Sequence, residues 1–231
     1  AFERITGLKA NDILGRTVLE VLPGTEHYWI ETYGRVALTG EPAVFENYSN
    51  VLNKYFMVTS FQPAPNRFAC VFFDITQRKQ SEDALRESET KYKSLFEHST
   101  DAIFLAYENI FIDCNQKAME MLGCTKEQII GHSFDRFMPE FQPDGSKTRE
   151  KTLKKARAAI NGHPQSYELQ HRRYDGTLFD TEVSLNAFND RGKYYIQAIV
   201  RDITESKRVQ EELLLFKKAI EGSSDAIGMA D

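Results

Sequence analysis

A charged stretch near the middle of the chain, residues 77–97, reads QRKQSEDALRESETKYKSLFE. Asp74-Ile75-Thr76 precedes this stretch, and Asp202-Ile203-Thr204 precedes a second charged stretch further along. A similar segment follows each stretch, Ser99-Thr100-Asp101-Ala102-Ile103 in the first case and Ser223-Ser224-Asp225-Ala226-Ile227 in the second. Each charged stretch is therefore interpreted as a helical connector that separates repeated units.

Glycine spacing supports the same division of the chain. Gly7 and Gly15 match Gly123 and Gly131 at one offset, since 123 − 7 and 131 − 15 both equal 116. The first unit would then lack its opening strands, and we expect the sequence to be a piece of a longer protein. The predicted organisation is a first unit at 1–76, a connector at 77–97, a complete second unit at 98–204, a connector at 205–222 and the start of a third unit at 223–231.

The second unit opens with a predicted hairpin and a short helix. Two apolar runs flank Glu108-Asn109, a pattern that indicates two strands joined by a turn. Asn115 is a good N-cap for a helix over 116–122, and Gly123 can end that helix. The chain therefore passes from a hairpin directly into a helical segment.

A longer helix and three strands complete the second unit. The spacing of Leu153, Ala156 and Ile160 predicts one buried face of a helix over 146–161. Asp175-Gly176 predicts a tight two-residue turn between the first two of the later strands, because both residues tolerate positive φ. These strands are expected near 166–174, 178–188 and 194–200. The result is an α+β fold, a five-stranded antiparallel sheet with helices on one side, and the first unit follows the same order from its middle onward.

Composition limits the class of protein. With 231 residues and 41% hydrophobic residues, the chain is long enough to form one or two cores. A net charge of −5 without a basic block argues against nucleic acid as a partner. No run approaches the roughly 18 to 20 apolar residues that span a bilayer. Three cysteines, Cys70, Cys114 and Cys124, lack metal-site spacing and favour a reducing, cytoplasmic compartment.

Several segments together resemble tandem PAS domains. In the second unit these are Ser99 to Ile103, the helix start Asn115-Gln116-Lys117-Ala118, and the hairpin Arg172 to Thr177. Val200 to Lys207 resembles the closing motif of the family, and Phe72 to Lys79 resembles it in the first unit. The resemblance implies repeated PAS folds joined by long α-helical connectors. It also implies a sensory role in signal transduction, typically as the input part of a sensor histidine kinase of a two-component system.

The resemblance leaves the ligand open, since PAS domains bind haem, flavin, small metabolites or nothing. The flavin photosensors of the family carry a reactive cysteine, which residues 131–139 lack, and its oxygen-sensing haem proteins carry an axial histidine on the long helix, which has none here. His171 lies on a predicted strand among charged neighbours, so we expect it to be exposed. No catalytic motif and no metal site are found, and no cofactor is predicted. A cofactor-based redox, gas or light sensor and a structural, dimerising spacer remain the alternatives.

A ligand, if one binds, is expected between the sheet and the helices of the second unit. The apolar positions that read as facing inward are Leu105, Phe111, Met121, Phe134, Phe137, Ile160, Leu169, Phe179, Val183, Leu185 and Ala198. The same positions also describe a core filled by its own side chains, with no ligand.

The connectors provide candidate relay and dimer residues. Asp74 and Thr76, like Asp202 and Thr204, lie where a helix N-terminus favours a cap and negative charge, so they are expected to pass strand motion to the helix. The predicted seam of a homodimer through the connectors consists of Leu85, Tyr92 and Phe96, then Val209, Leu213, Phe216 and Ile220. Packing of the first connector on its own domain is an equal alternative. An output kinase or other effector domain is expected in the same chain.

Overall fold

The computed structural model describes residues 2–221 and divides the chain into two units, one up to Thr90 and one from Lys91 onward. The predicted third unit, residues 223–231, lies outside the described residues. Within 2–221, no helix combines the length and the apolar character that crossing a membrane requires.

The first unit is a helical segment followed by a three-stranded antiparallel sheet of order β1-β2-β3. Trp29, on the longest helix before the sheet, packs against Phe56 and Val58 on the middle strand. This contact forms the core of the unit. Its elements are α1 (Phe2–Thr6), α2 (Ala10–Ile13), α3 (Val18–Val21), α4 (His27–Thr39), β1 (Ala43–Ser49), β2 (Lys54–Ala64) and β3 (Arg67–Asp74), and α5 (Thr76–Glu97) begins after β3.

The second unit begins in α5 and contains a five-stranded sheet of order β5-β4-β8-β7-β6, with every neighbouring pair antiparallel. The predicted five-stranded antiparallel sheet is therefore confirmed. Its elements are β4 (Ala102–Tyr107), β5 (Ile110–Cys114), α6 (Gln116–Leu122), α7 (Lys126–Ile129), a 3₁₀ turn (Phe134–Phe137), α8 (Thr148–Ile160), β6 (Gln165–Arg172), β7 (Leu178–Asp190), β8 (Lys193–Asp202) and α9 (Thr204–Glu221).

One face of this sheet carries the core of the second unit. Phe104 of β4 pairs with Ala198 of β8, which pairs with Leu185 of β7, so these three side chains form one row across the sheet. Residues of α6, α7, α8 and the 3₁₀ turn all join the same cluster of buried side chains. The helices thus cover one face, as predicted for an α+β fold.

The loop between β6 and β7 differs from the sequence expectation. The predicted two-residue turn at Asp175-Gly176 is wrong, because the strands end at Arg172 and resume at Leu178. Only Gly176 of the pair has positive φ, and the Asp175 side chain accepts a hydrogen bond from the Thr177 amide, 2.8 Å. The longer loop places residues 173 and 174 beyond the sheet.

The buried face of α8 is also different from the predicted one. Thr148, Thr152, Ala156 and Ala159 are its buried residues, whereas Leu153 and Ile160 are only half-buried. Thr148 and Thr152 are polar residues, but their spacing of four places them on the buried face of the helix. The prediction of Ile160 as an inward residue is corrected accordingly.

Asn115 connects the ends of three elements in the second unit. Its fully buried amide oxygen accepts hydrogen bonds from Ile103 N, 2.9 Å, and Ala118 N, 3.0 Å. Its amide nitrogen donates to Phe96 O, 3.0 Å, and Asp101 O, 3.1 Å. The end of α5, the start of β4 and the first turn of α6 therefore share one side chain, which also confirms Asn115 as the N-cap of α6.

Replacing Asn115 by alanine should destabilise the second unit by about 3 to 5 kcal/mol, since it removes four hydrogen bonds to buried or half-buried backbone groups. Urea unfolding followed by far-UV circular dichroism measures this loss. Trp29, the one tryptophan in the sequence, lies in the first unit, so its fluorescence transition should not move.

Asn186→Ala is the matched control. Asn186 lies exposed on β7, and its side chain forms no hydrogen bond within residues 2–221. The control should change the free energy of unfolding by less than about 0.5 kcal/mol. Equal effects of the two substitutions would contradict the role of Asn115.

Candidate functional site

A cavity of about 70 Å³ lies between the sheet of the second unit and the helical elements that cover it. Its wall is mainly apolar, with aromatic rings from β4, β5 and the 3₁₀ turn. Six of the eleven positions suggested by the sequence line it, namely Phe111, Phe134, Phe137, Val183, Leu185 and Ala198.

The other five suggested positions lie elsewhere. Leu105 points to the opposite face of the sheet, because burial alternates along β4 and places Phe104 and Ala106 on the cavity side. Ile160 lies off the buried stripe of α8. The remaining three are core residues that do not border the cavity: Met121, Leu169 and Phe179.

His171 borders the cavity and is buried, with 8% of its surface exposed, so the expectation of an exposed histidine is wrong. Its charged and polar neighbours on β6 point to the other face, while Tyr167 and Leu169 share its side of the strand. His171 Nδ1 lies 2.7 Å from the Thr181 hydroxyl oxygen. Burial lowers the pKa of His171 to about 4, so its imidazole is neutral at physiological pH.

Three further polar side chains border the cavity: Asn109, Thr152 and Tyr167. Burial raises the pKa of Tyr167 to about 12, although a hydrogen bond with Thr152 acts in the opposite direction. The Thr152 hydroxyl donates to the sulfur of Met138, 3.8 Å away. Among the described residues, no group of three or more histidine, cysteine, aspartate or glutamate side chains is placed to hold a metal ion.

The start of α9 is tied to the neighbouring strand β7. The Ile203 amide donates to Asp180 O, 2.9 Å, and the Asp180 amide donates to the Thr204 hydroxyl oxygen, 3.0 Å. The Asp202 carboxylate accepts from the Thr204 amide, 3.0 Å. These bonds replace the strand ladder at the point where the strand becomes a helix.

The start of α5 repeats this arrangement in the first unit. Ile75 N donates to Tyr55 O, 2.9 Å, Tyr55 N donates to the Thr76 hydroxyl, 3.0 Å, and Thr76 N donates to the Asp74 carboxylate, 3.0 Å. Lys54 pairs with Asp74 at 2.9 Å. Hydrogen bonds from Thr76 and Lys54 lower the pKa of Asp74 to about 2, so this carboxylate stays ionised.

Arg173 connects Asp202 to the helical layer of the second unit. Its guanidinium donates to the Asp202 carboxylate at 2.7 Å and also to the carbonyl of Met121 in the last turn of α6. The same group lies 4.1 Å from the ring centroid of Phe179. The next residue of this loop, Tyr174, donates its amide to Leu122 O, 2.8 Å, and Leu122 lines the cavity.

The neighbours of the Asp202 carboxylate shift its pKa. Burial raises its pKa, but the hydrogen bonds from Thr204 and Arg173 outweigh this effect and leave the pKa below its usual value. Sequence reasoning identified Asp202 and missed Arg173. The contact of Arg173 with Met121 depends on the longer loop between β6 and β7, which the predicted two-residue turn did not include.

The exposed side chains of the connectors agree only in part with the predicted seam. Leu85 and Tyr92 of α5 are exposed, whereas Phe96 is buried within the second unit. Phe96 is therefore corrected from a seam residue to a core contact of its own domain. Of the seam positions predicted on α9, Val209, Leu213 and Phe216 are exposed and Ile220 is half-buried. The neighbouring Leu214 and Leu215 are exposed as well.

Residues 100–205 match a family model described as PAS domain. This segment contains the five-stranded sheet, the cavity and the junction with α9. Residues 100–205 form a PAS domain. The match covers the second unit and leaves the first unit unassigned.

Curated relatives of this PAS domain are named as sensors and kinases. Sensor protein FixL of Bradyrhizobium diazoefficiens is 30% identical over 146 residues, which are 62% of this chain and 28% of that protein. Sporulation kinase E of Bacillus subtilis is 24% identical over 219 residues, 91% of this chain and 28% of that kinase. The chain thus spans little more than a quarter of the length of either relative.

One match among solved structures is the PAS domain of an HTR-like protein from Haloarcula marismortui. It is 27% identical, with a TM-score of 0.44, and the match covers 54% of this chain and 99% of that one.

The buried His171 should make the PAS domain less stable in mild acid. Its pKa is about 4 when folded and about 6.5 when unfolded, so the unfolded chain binds the proton more readily between these values. Stability should therefore fall as the pH is lowered from about 6.5 to about 4, by about 3 kcal/mol from this group. Urea unfolding at several pH values measures the slope.

His171→Phe is the comparison variant, because it removes the titrating group and keeps an aromatic ring. Carboxylates also titrate in this range, so the quantity of interest is the difference in slope between the two proteins. Parallel pH profiles would contradict a buried neutral His171.

Proposed function

We propose that this chain is a sensory and signal-relay module of a larger signalling protein, in which a small molecule in the PAS cavity alters the start of α9. The observation that carries this proposal is the position of Arg173, which donates both to the carbonyl of Met121, next to the cavity-lining Leu122, and to the Asp202 carboxylate. The sensor and kinase names of the relatives support the same role.

The relay begins at the cavity wall. Leu122 borders the cavity, and the carbonyl of its neighbour Met121 accepts from Arg173. A ligand that displaces the end of α6 therefore moves an acceptor of the Arg173 guanidinium. Because the guanidinium is planar and its donors have fixed directions, it cannot follow that acceptor and keep its bond to Asp202 unchanged.

The relay ends at the first turn of α9. The side chains of Arg173 and Asp202 are 29% and 33% exposed, so solvent weakens their charge-assisted hydrogen bond. At about 1.5 kcal/mol, the lower end for such bonds, it shifts a local two-state equilibrium about tenfold. Asp202 also caps the amide of Thr204, whose hydroxyl is bonded to Asp180. Loss of the Arg173 bond would therefore loosen the helix start relative to the sheet.

The first unit is proposed to be another PAS domain, which α5 joins to the PAS domain of residues 100–205. α9 is proposed to lead to a third. Two observations support this: both junctions use the same set of backbone and threonine hydrogen bonds, and α1 and α6 both end at a glycine with positive φ, Gly7 and Gly123. Similarity to Sporulation kinase E over 91% of the chain agrees with such an arrangement.

The larger protein is proposed to carry a histidine kinase or another effector domain in the same chain. Placing it in the cytoplasm fits three cysteines that are all free thiols, a state that reducing compartments maintain. The module itself would act by binding and conformational change, with chemistry in the effector domain.

A homodimer through the connectors is the proposed route to that effector. Val209, Leu213 and Phe216 repeat at spacings of four and three along α9 and are each more than half exposed. An exposed apolar stripe of this period is typical of a two-stranded coiled coil. On α5, the exposed Leu85 and Tyr92 support a shorter seam.

A haem or flavin sensor is the less supported alternative. His171 has one feature of an iron ligand, since its Nδ1 is oriented by the Thr181 hydroxyl. However, sites for drug-sized molecules occupy about 300 to 1,000 Å³. The cavity of about 70 Å³ does not fit a tetrapyrrole or an isoalloxazine ring system.

Arg173→Met should loosen the start of α9 without unfolding the PAS domain. We expect amide hydrogen exchange at residues 203–207 to accelerate about tenfold, the equivalent of about 1.4 kcal/mol. Arg172→Met is the matched control, because Arg172 bonds to Arg136 O and does not touch Asp202. Equal exchange in the two variants would argue against the bridge.

A thermal-shift screen against small metabolites tests the sensory role. A ligand of the cavity should raise the melting temperature of the wild-type chain and change amide exchange at residues 203–207. In Arg173→Met the same ligand should still bind, but the change at 203–207 should be lost. A ligand that stabilises both proteins and alters these amides equally would refute the relay.

Leu213→Glu should convert the dimer to a monomer in analytical ultracentrifugation, because it places a charge in the seam. Leu214→Glu is the control, since Leu214 is also exposed but lies beside the seam positions. A wild-type chain that sediments as a monomer, or two variants that behave alike, would exclude this dimer.

A further inference from the structure

We propose that the PAS cavity binds a small uncharged molecule of about three to five non-hydrogen atoms, which donates a hydrogen bond to Nε2 of His171. This inference rests on the proposed sensory role of the same cavity and specifies the class of ligand.

The size of the ligand follows from the volume of the cavity. An apolar cavity of about 150 Å³ holds benzene, which has six non-hydrogen atoms, so a cavity of about 70 Å³ accommodates a smaller molecule of about three to five such atoms. The wall is apolar over most of its area, with Phe104, Phe111 and Phe137 among its rings. The ligand must therefore present mainly apolar surface.

The single hydroxyl proton of Thr181 determines which nitrogen of His171 is protonated. The Thr181 hydroxyl has one proton, which it donates to Leu169 O, 2.7 Å away. Its oxygen must then accept from His171, at 2.7 Å, so the proton of the neutral imidazole is on Nδ1. Nε2 is left as an acceptor, and none of residues 2–221 provides it with a donor.

The absence of charge on the ligand follows from the residues around it. None of the described side chains that line the cavity belongs to aspartate, glutamate, lysine or arginine. An ionic ligand would lose its hydration without gaining a counter-ion, at a large cost in free energy. A neutral ligand with one hydroxyl or N–H group instead satisfies the unpaired Nε2 acceptor of His171 and leaves its apolar part against the rings.

Three probes of similar size separate the possibilities: 2-propanol, which donates and accepts, acetone, which only accepts, and propionate, which is an anion. We titrate the complete 231-residue chain with each probe up to about 100 mM, a range suited to the weak affinity that so few atoms provide. Amide and imidazole ¹⁵N chemical shifts in NMR spectra report binding. 2-Propanol should bind about threefold to tenfold more tightly than acetone and should shift the Nε2 resonance of His171, and propionate should not bind.

His171→Phe should abolish the preference for 2-propanol over acetone, and Tyr167→Phe should retain it because only a donor hydroxyl is removed. The Nε2 resonance of the wild-type chain keeps the test valid if His171→Phe does not fold. Equal binding of 2-propanol and acetone, stronger binding of propionate, or no binding of any probe would overturn the inference. If 2-propanol binds as expected while the amides of residues 203–207 do not shift, the ligand class stands and the relay fails.

Discussion

The second unit depends on the buried side chain of Asn115. A primary amide has two N–H donors and an oxygen with two lone pairs, and all four are used here on backbone groups of three elements. The last turn of α5, the start of β4 and the start of α6 cannot separate without leaving a buried polar group without its hydrogen-bond partner. The wall of the cavity that β4 provides is therefore positioned by a residue that does not border the cavity.

The same requirement to satisfy backbone groups explains the two strand-to-helix junctions. Where β3 and β8 end, a threonine hydroxyl replaces a ladder carbonyl as the acceptor for the neighbouring strand, and an aspartate caps the new helix. The junctions differ in the cation that pairs with the aspartate. Lys54 belongs to the adjacent strand β2, whereas Arg173 comes from a loop that also contacts α6. Only the second arrangement connects the helix start to a cavity among the residues described.

The sequence predicts the residues that cap the helices, but it does not predict which face of a strand each side chain occupies. The cap at Asn115 and the aspartates before the connectors follow from residue type and position, so they were recognised without coordinates. The run 102–107 is apolar throughout, so alternation could not show that Phe104 rather than Leu105 faces inward. His171 was predicted to be exposed because of its charged neighbours, but these occupy the other face of β6. The role of Arg173 was missed because it depends on the length of a loop.

The bonds at Thr204 fix more than the position of α9. They also set its rotational phase, because the hydroxyl and the amide of one residue are held by Asp180 and Asp202 on two adjacent strands. Each α-helical residue turns the chain by about 100°, so whatever follows α9 is oriented by counting residues from this point. A linker shortened by one residue would face its partner with a different side, while one shortened by seven would nearly restore the original face. The number of residues in the connector therefore fixes the direction that any following segment faces.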